Sequence, residues 1–260
     1  MMVEPFTDFG LAGVPMAGRA PPDGPLVRAA RPPGAAYGVL NPRTVRVSFS
    51  ALLRIKDDHR YVLFHMRNRP GSYGPPGGVY KFFPPAARLL DSLGFRQERF
   101  TSEAGRARAD LRGFLPSRSV RRFVTWFDGG AYREDTDECL RRELEEELEE
   151  VGLPALAGEV PGLAFAHHRT LLEGPYNVPG RPYRQLRRFD VYDLVTTHGA
   201  AAWLWQRLIE VGGDPSASEV VCATESEILH GRCGAALIAP HSAYLIGVRR
   251  KRQSDLPPML

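Results

Sequence analysis

The stretch ECLRRELEEELEEVGL, residues 138–153, constrains the fold more than any other part of this chain. At about 100° per residue, Leu140, Leu144, Leu148 and Val151 fall on one stripe. That stripe predicts an amphipathic helix over about 136–151, stopped by Gly152. Glu143, Glu146 and Glu147 stand at i, i+3 and i+4, so their carboxylates converge on a neighbouring face. Three carboxylates brought together repel unless a cation joins them. A hard divalent ion such as Mg²⁺ or Mn²⁺ is the natural partner, because it prefers oxygen donors and keeps waters for a substrate to displace. Arg142, one turn before Glu146, is placed to orient a liganding carboxylate. The bland alternative is a solvated helix face with Arg141 and Arg142 as ion-pair partners. The upstream loop weighs against it: Pro75-Pro76-Gly77-Gly78 offers backbone that can approach a metal or phosphate where a Cβ would clash.

Around this helix the pattern alternates between strand and helix periods. Val45, Val47, Phe49, Ala51, Leu53 and Ile55 alternate with mostly polar neighbours, the period of a strand. Asp57-Asp58-His59 turns the chain into a second strand from Tyr61 to Met66, which predicts a hairpin. Arg67-Asn68-Arg69 then leads into a loop over residues 71–78. Residues 83–115 read as an insertion with a helical start at 86–93. A short helix is expected over 117–127, with Val120, Phe123, Val124 and Phe127 on one side. Beyond the Glu-rich helix, strand-like runs at 163–172 and 187–195 flank a Pro/Gly-rich loop at 174–182. A helix at 200–211, a strand at 219–222 and a helical turn at 225–230 follow. Residues 235–248 are apolar enough to pack on the body, and the closing RRKRQSDLPPML is expected to fray. Residues 1–42, rich in Pro, Gly and Ala, read as an arm.

Composition narrows the class. In a chain of 260 residues, 10% aromatics and a formal net charge of +4 exclude a wholly disordered protein. No apolar run approaches the roughly 18 residues of a membrane helix, and the opening MMVEPFTDFG lacks a secretory pattern. Three cysteines are too few for a disulfide scaffold or a four-cysteine zinc site, and a cytoplasmic location is expected. Lysine occurs only at Lys56, Lys81 and Lys251, so arginine carries the basic pI of about 9.1. Arginine is the better phosphate clamp; the charge permits an anionic ligand or nucleic acid without demanding either.

The motif resembles that of the Nudix hydrolases, whose box runs Gly, five residues, Glu, seven residues, then Arg-Glu-apolar-any-Glu-Glu. Arg142-Glu143-Leu144-Glu145-Glu146-Glu147 matches the second half. The first half departs: Gly78 precedes Arg142 by 64 residues where the box asks for 14, an excess of 50. Either Gly129-Gly130 are the box glycines, or Gly77-Gly78 are and about 50 residues are inserted; the second is preferred. The first-half Glu is Glu134 by spacing or Glu138 by helix position. Together with Lys81, Asp110-Leu111-Arg112 and the run from Phe123 to Phe127, the pattern is most similar to the SMODS-associated Nudix family, over about residues 43–233. That family accompanies bacterial cGAS-like nucleotidyltransferases in antiviral gene neighbourhoods.

The resemblance implies an α/β Nudix fold, a mixed sheet sandwiched between helices, with an insertion at about residues 82–133. It implies hydrolysis of a nucleoside-linked diphosphate or signalling nucleotide with Mg²⁺ or Mn²⁺. Carried over by position, Glu143, Glu146 and Glu147 would bind the metal beside Arg142, with a carbonyl of Gly77 or Gly78. Arg67, Arg69 and Lys81 would hold phosphates. The general base would be Glu143, or Glu225 or Glu227 from a later loop. His167 and His168, expected on opposite sides of a strand, and the cluster Arg184, Arg187 and Arg188 are weaker candidates. Tyr73 and Tyr80 either stack on a base or pack. Trp203 and Trp205 read as core and rim of a helix, and Cys139 as a packing residue. A nucleotide-type small molecule, a link to a cGAS-like enzyme and a homodimer are the expected partners, with no membrane. Two rivals stay open: a catalytically idle nucleotide sensor, and a nucleic-acid binder whose affinity would fall steeply with salt and ignore Mg²⁺.

Overall fold

The alternating run from Val45 folds as strand β1 (Thr44–Arg54), the axis of the structure. The computed structural model describes residues 43–98, 109–197 and 199–247, all within one compact unit. After β1 come β2 (Lys56–Asp57), β3 (Arg60–His65), β4 (Ser72–Gly74) and β5 (Gly77–Val79). Next are α1 (Ala87–Ser92), β6 (Arg96–Gln97), β7 (Arg112–Pro116), α2 (Val120–Asp128) and α3 (Thr136–Glu150). The chain continues through α4 (Pro154–Ala157), β8 (Phe165–Asn177), β9 (Arg184–Leu194) and α5 (Gly199–Gly213). It closes with β10 (Val220–Thr224), α6 (Glu225–His230), β11 (Arg232–Cys233), β12 (Ala236–Ile238) and a 3₁₀ turn at Pro240–Ile246.

These strands form two mixed sheets. The first runs β6-β7-β1-β9-β8, and β5 pairs with β1 as well. One edge of β1 carries β7 against Thr44–Ser48 and β5 against Ser50–Leu52, both antiparallel. The other edge carries β9, parallel from Val45 to Arg54. The second sheet runs β10-β3-β4-β12-β11, with β2 on β3. The hairpin expected after Ile55 exists only as β2 and β3. Its first arm leaves β1 for the second sheet, so the two long strands do not pair along their lengths.

With neighbours on both edges and layers on both faces, β1 is buried on every residue from Val47 to Leu53, and Ser48 and Ser50 are not a solvated side. Residues 71–78 are likewise no plain loop: β4 and β5 dock there as short strands. The Pro/Gly-rich stretch is shorter than expected because β8 continues to Asn177. Against these, α3 buries Cys139, Leu140, Leu144 and Leu148 along the foreseen stripe, each leucine contributing about 1.5–3 kcal/mol. Asp135 accepts from the Glu138 backbone N–H while Glu138 accepts from that of Asp135, a reciprocal cap that starts the helix. Gly152, at φ 76°, turns the chain out of it. Residues 236–245 pack on the body, with β12 parallel to β4 and Tyr244 and Leu245 fully buried. The arm at 1–42, the basic tail and residues 99–108 lie outside the described residues.

Candidate functional site

The face of the first sheet toward the second forms the floor of a cavity of about 750 Å³, and α3 supplies one wall. Along β1 the residues pointing into it are Arg46, Ser48, Ser50 and Leu52. Gly77, Gly78 and Val79 of β5 line it, as do Glu143, Glu146, Glu147 and Glu150 of α3. Arg67 and Arg69 come from the loop after β3, and Ala239, Pro240 and His241 from the chain after β12.

The expected glycines meet the expected helix. The Gly77 N–H donates to Glu147 Oε2 at 2.9 Å. A Cβ on Gly78 would land inside the Glu143 carboxylate, and one on Gly77, at φ 124°, inside the Ala51 carbonyl. Only glycine lets β5 press this closely between β1 and α3. Gly129 and Gly130 instead end α2, their N–H groups bonding the Thr125 and Phe127 carbonyls, and neither lines the cavity.

Arg142 is the hub of the buried polar contacts. Its Nε and Nη2 reach Glu134 at 2.6 and 2.9 Å, Nη1 reaches Glu143 Oε1 at 2.6 Å, and Nη2 also meets the Val79 carbonyl at 3.0 Å. Glu134 is buried and further accepts the Lys81 backbone N–H at 2.9 Å. Of the two candidates for the first-half glutamate of the box, Glu134 is the one in contact with Arg142, and Glu138 serves as the helix cap. Burial alone would lower the Arg142 pKa, but its bonds to Glu134 and Glu143 hold it above the ordinary value. Lys81 Nζ lies 3.5 Å from Glu146 Oε1, and Arg67 Nη1 3.9 Å from Glu150 Oε1.

The carboxylates are electrostatically loaded. Burial raises the Glu143 pKa in spite of Arg142, and Glu146 adds to the rise. Burial, then Glu143, pushes Glu147 well above the ordinary range, relieved only in part by the Gly77 N–H. Hard oxygen donors that share one cavity and repel one another suit a divalent cation. Among the described residues, however, no three His, Cys, Asp or Glu side chains are drawn together closely enough to enclose an ion. Glu143 is turned onto Arg142 and Glu146 onto Lys81, and both would have to swing toward Glu147. The Gly78 carbonyl accepts the Cys139 thiol at 3.8 Å. Burial holds that thiol protonated, as befits a packing residue.

Several candidates are not brought here. Glu225 accepts from the Tyr61 hydroxyl at 2.9 Å, and Glu227 caps α6 through Thr224; neither lines the cavity. His167 bonds Thr170 and His168 faces Asp193, both on the far strand β8, whose bulge at this point breaks the expected alternation of faces. Tyr80 is fully buried against Asp190 and Thr136, and Tyr73 donates to the Ser218 carbonyl at 2.6 Å, so both pack. Trp203 is exposed; Ala201, Leu204 and Leu208 are the core of α5. Of the arginine cluster only Arg187 enters the cavity. Arg184 bonds the Pro175 carbonyl and Arg188 pairs with Asp190 and Asp128. Sequence reasoning missed Arg46, Asp110 and Arg112 as lining residues. Arg46 carried a signal in the period of two along β1; Asp110 and Arg112 had none as lining residues, since they reach the cavity only through strand pairing.

A glycine-backed strand pressed against a helix carrying Arg-Glu-Leu-Glu-Glu-Glu, inside a two-sheet α/β body, defines a Nudix domain. The model of one family, the SMODS-associated NUDIX domain, matches residues 44–246, and the chain belongs to that family. No curated protein matches the chain. Among solved structures, it is similar to Shewanella oneidensis NrtR complexed with a 27mer DNA, at 15% identity and a TM-score of 0.32. That match covers 79% of this chain, which spans 58% of the length of that one.

Proposed function

We propose that this protein hydrolyses a diphosphate-containing nucleotide with the help of a divalent cation held by α3. The observation that carries this reading is the meeting of Gly77 and Gly78 with Glu147 and Glu143 across 70 and 65 residues of chain, respectively. It also supports reading the intervening stretch as an insertion of about 50 residues into the Nudix box. Glu143, Glu146 and Glu147 would hold Mg²⁺ or Mn²⁺. When bound, such an ion neutralises phosphate oxygens and makes a bound water more acidic. Where Glu146 and Glu147 hold the ion and Glu143 acts as the base, Arg142 would keep one oxygen of Glu143 and leave Oε2 to take a proton from the attacking water. A carboxyl whose pKa is raised by burial is suited to that task. Arg67 and Arg69 would meet phosphate oxygens from the cavity wall, and Lys81 from beside Glu146. An antiviral setting, a functional link to a cGAS-like enzyme, cytoplasmic residence and a homodimer are part of the same proposal.

A second reading, nucleotide capture without turnover, is favoured by the engagement of Glu143 and Glu146 with Arg142 and Lys81. A hydrolysis screen separates the two. Nucleoside triphosphates, ADP-ribose, NAD, dinucleoside polyphosphates and cyclic oligonucleotides are incubated with Mg²⁺ or Mn²⁺ and wild type, Glu146→Gln or Glu147→Gln. Turnover by wild type, lost in both folded variants, supports the hydrolase. Binding of one nucleotide without metal and without turnover supports the sensor.

A further inference from the structure

Between residues 82 and 133 the chain holds ten arginines against five acidic residues, an excess larger than the net charge of +4 of the whole protein. The acids described in this stretch are mostly committed elsewhere. Glu98 pairs with Arg46 of β1, Asp128 pairs with Arg188 of β9, and Asp110 lines the cavity. The arginines of α2 do the opposite. A 3₁₀ turn at Ser117–Ser119 runs into α2, and Arg118, Arg121 and Arg122 stand at i, i+3 and i+4 on its outer side, all exposed. Among the described residues, none of these three guanidiniums enters an ion pair, with Asp91 of α1 or with any other acid. Thr125, one turn further, adds an exposed hydroxyl to the same stripe.

Local physics works against this arrangement. Like charges three and four residues apart on a helix repel. Cations at a helix start also oppose the helix dipole, and the first turn of α2 holds no acidic residue to offset them. Nor do the arginines serve the packing of α2, which comes from its other side. Phe123, Trp126 and Phe127 are buried there, and Phe123 and Phe127 meet Phe49 of β1 edge to face. Phe49 points to the opposite face of β1 from Ser48 and Ser50, so the stripe lies across the first sheet from the cavity.

We infer that Arg118, Arg121 and Arg122 form a docking face for the sugar–phosphate backbone of a nucleic acid, separate from the nucleotide cavity. A chain of regularly repeated negative charges relieves all three like charges at once, and each guanidinium fork can meet phosphate oxygens in pairs. A hydroxyl such as that of Thr125 is a further phosphate donor. A membrane surface or a protein partner fits this face less well. Both draw on apolar anchors, and α2 turns its own inward, with Val120 and Val124 packed on the core beside the buried aromatics. A phosphate backbone asks only for charge. The inference uses no residue of the cavity and stands apart from the hydrolytic reading.

Fluorescence anisotropy over a salt series in EDTA tests it, with a labelled DNA duplex of mixed sequence and its single strand as probes. Three full-length proteins are compared: wild type, the triple variant Arg118→Gln, Arg121→Gln and Arg122→Gln, and a control triple variant. The control, Arg60→Gln, Arg207→Gln and Arg232→Gln, removes the same charge from exposed positions on β3, α5 and β11. Thermal melts establish that all three are folded. Wild type is expected to bind at least one probe with an affinity that falls steeply with salt. Loss of three phosphate contacts should lower the slope of log K against log salt by about 2–3 in the stripe variant, while the control keeps the wild-type slope. No binding by wild type at low salt, an unchanged slope in the stripe variant, or an equal loss in the control overturns the docking face. Stripe-dependent binding of polyglutamate or anionic vesicles more tightly than of either nucleic acid would also overturn it.

Discussion

Replacing Arg142 by Met strands the carboxylate of Glu134. That side chain is 8% exposed and would keep only the Lys81 N–H after losing two guanidinium bonds at 2.6 and 2.9 Å. Removing one partner of a buried pair costs about 3–5 kcal/mol, because the other charge stays desolvated. At 2–4 °C per kcal/mol for a body of this size, the melting temperature should fall by roughly 10 °C. Urea denaturation of Arg142→Met, Glu134→Leu and the double variant gives the energies. With neither partner of this pair left charged, the double variant should cost less than the sum of the two singles by about 2 kcal/mol, the loss of the Glu143 contact being common to both variants that lack Arg142. A single-variant cost below about 1 kcal/mol, or a cycle additive within about 0.5 kcal/mol, would refute the claim that this pair anchors β5 and α3 to one another.

Three further outcomes follow from the same geometry. Gly77→Ala strikes the Ala51 backbone at positive φ and should destabilise strongly, whereas Gly78→Ala meets the movable end of Glu143 and should melt near wild type while losing activity; thermal melts and turnover separate the two. Glu147 has a folded pKa above its ordinary 4.5, so its contribution to metal-free stability is full below that pH and is lost as pH rises through the raised value. Glu147→Gln should flatten that part of a stability–pH profile measured in EDTA, and an unchanged slope would contradict it. Glu225→Gln and Glu227→Gln should keep kcat within about twofold, since both carboxylates bond outside the cavity; a loss of 100-fold in either would return the base to the later loop.

What the sequence made legible is what short-range physics decides. The α3 stripe, its stop at Gly152 and the helical turn at Glu225–His230 follow from period and capping residues alone. The spacing of the box singles out Glu134, yet Glu138 rivals it, because both a box position and a helix cap ask for glutamate. What stayed hidden depends on partners distant in sequence. Ser48 and Ser50 are only the polar neighbours of an alternating run in the sequence, and the pairing of β1 with β5, β7 and β9 makes them the floor of a cavity. Trp203 looked like core by its chemistry, but the packed side of α5 is set by Leu204 and Leu208. No local signal places Arg46, Arg112 and Arg187 together, since their strands meet only through sheet register.

The most direct test of a cation site on α3 is Mn²⁺ titration followed by electron paramagnetic resonance, with proton release read in a weakly buffered calorimetric run. Wild type should bind about one ion and release protons, because Glu143 and Glu147 hold protons above the ordinary carboxylate range until a cation takes their place. Glu147→Gln should lose that binding with its fold intact. Absence of Mn²⁺ binding by wild type, or binding that Glu147→Gln leaves unchanged, would contradict the metal site.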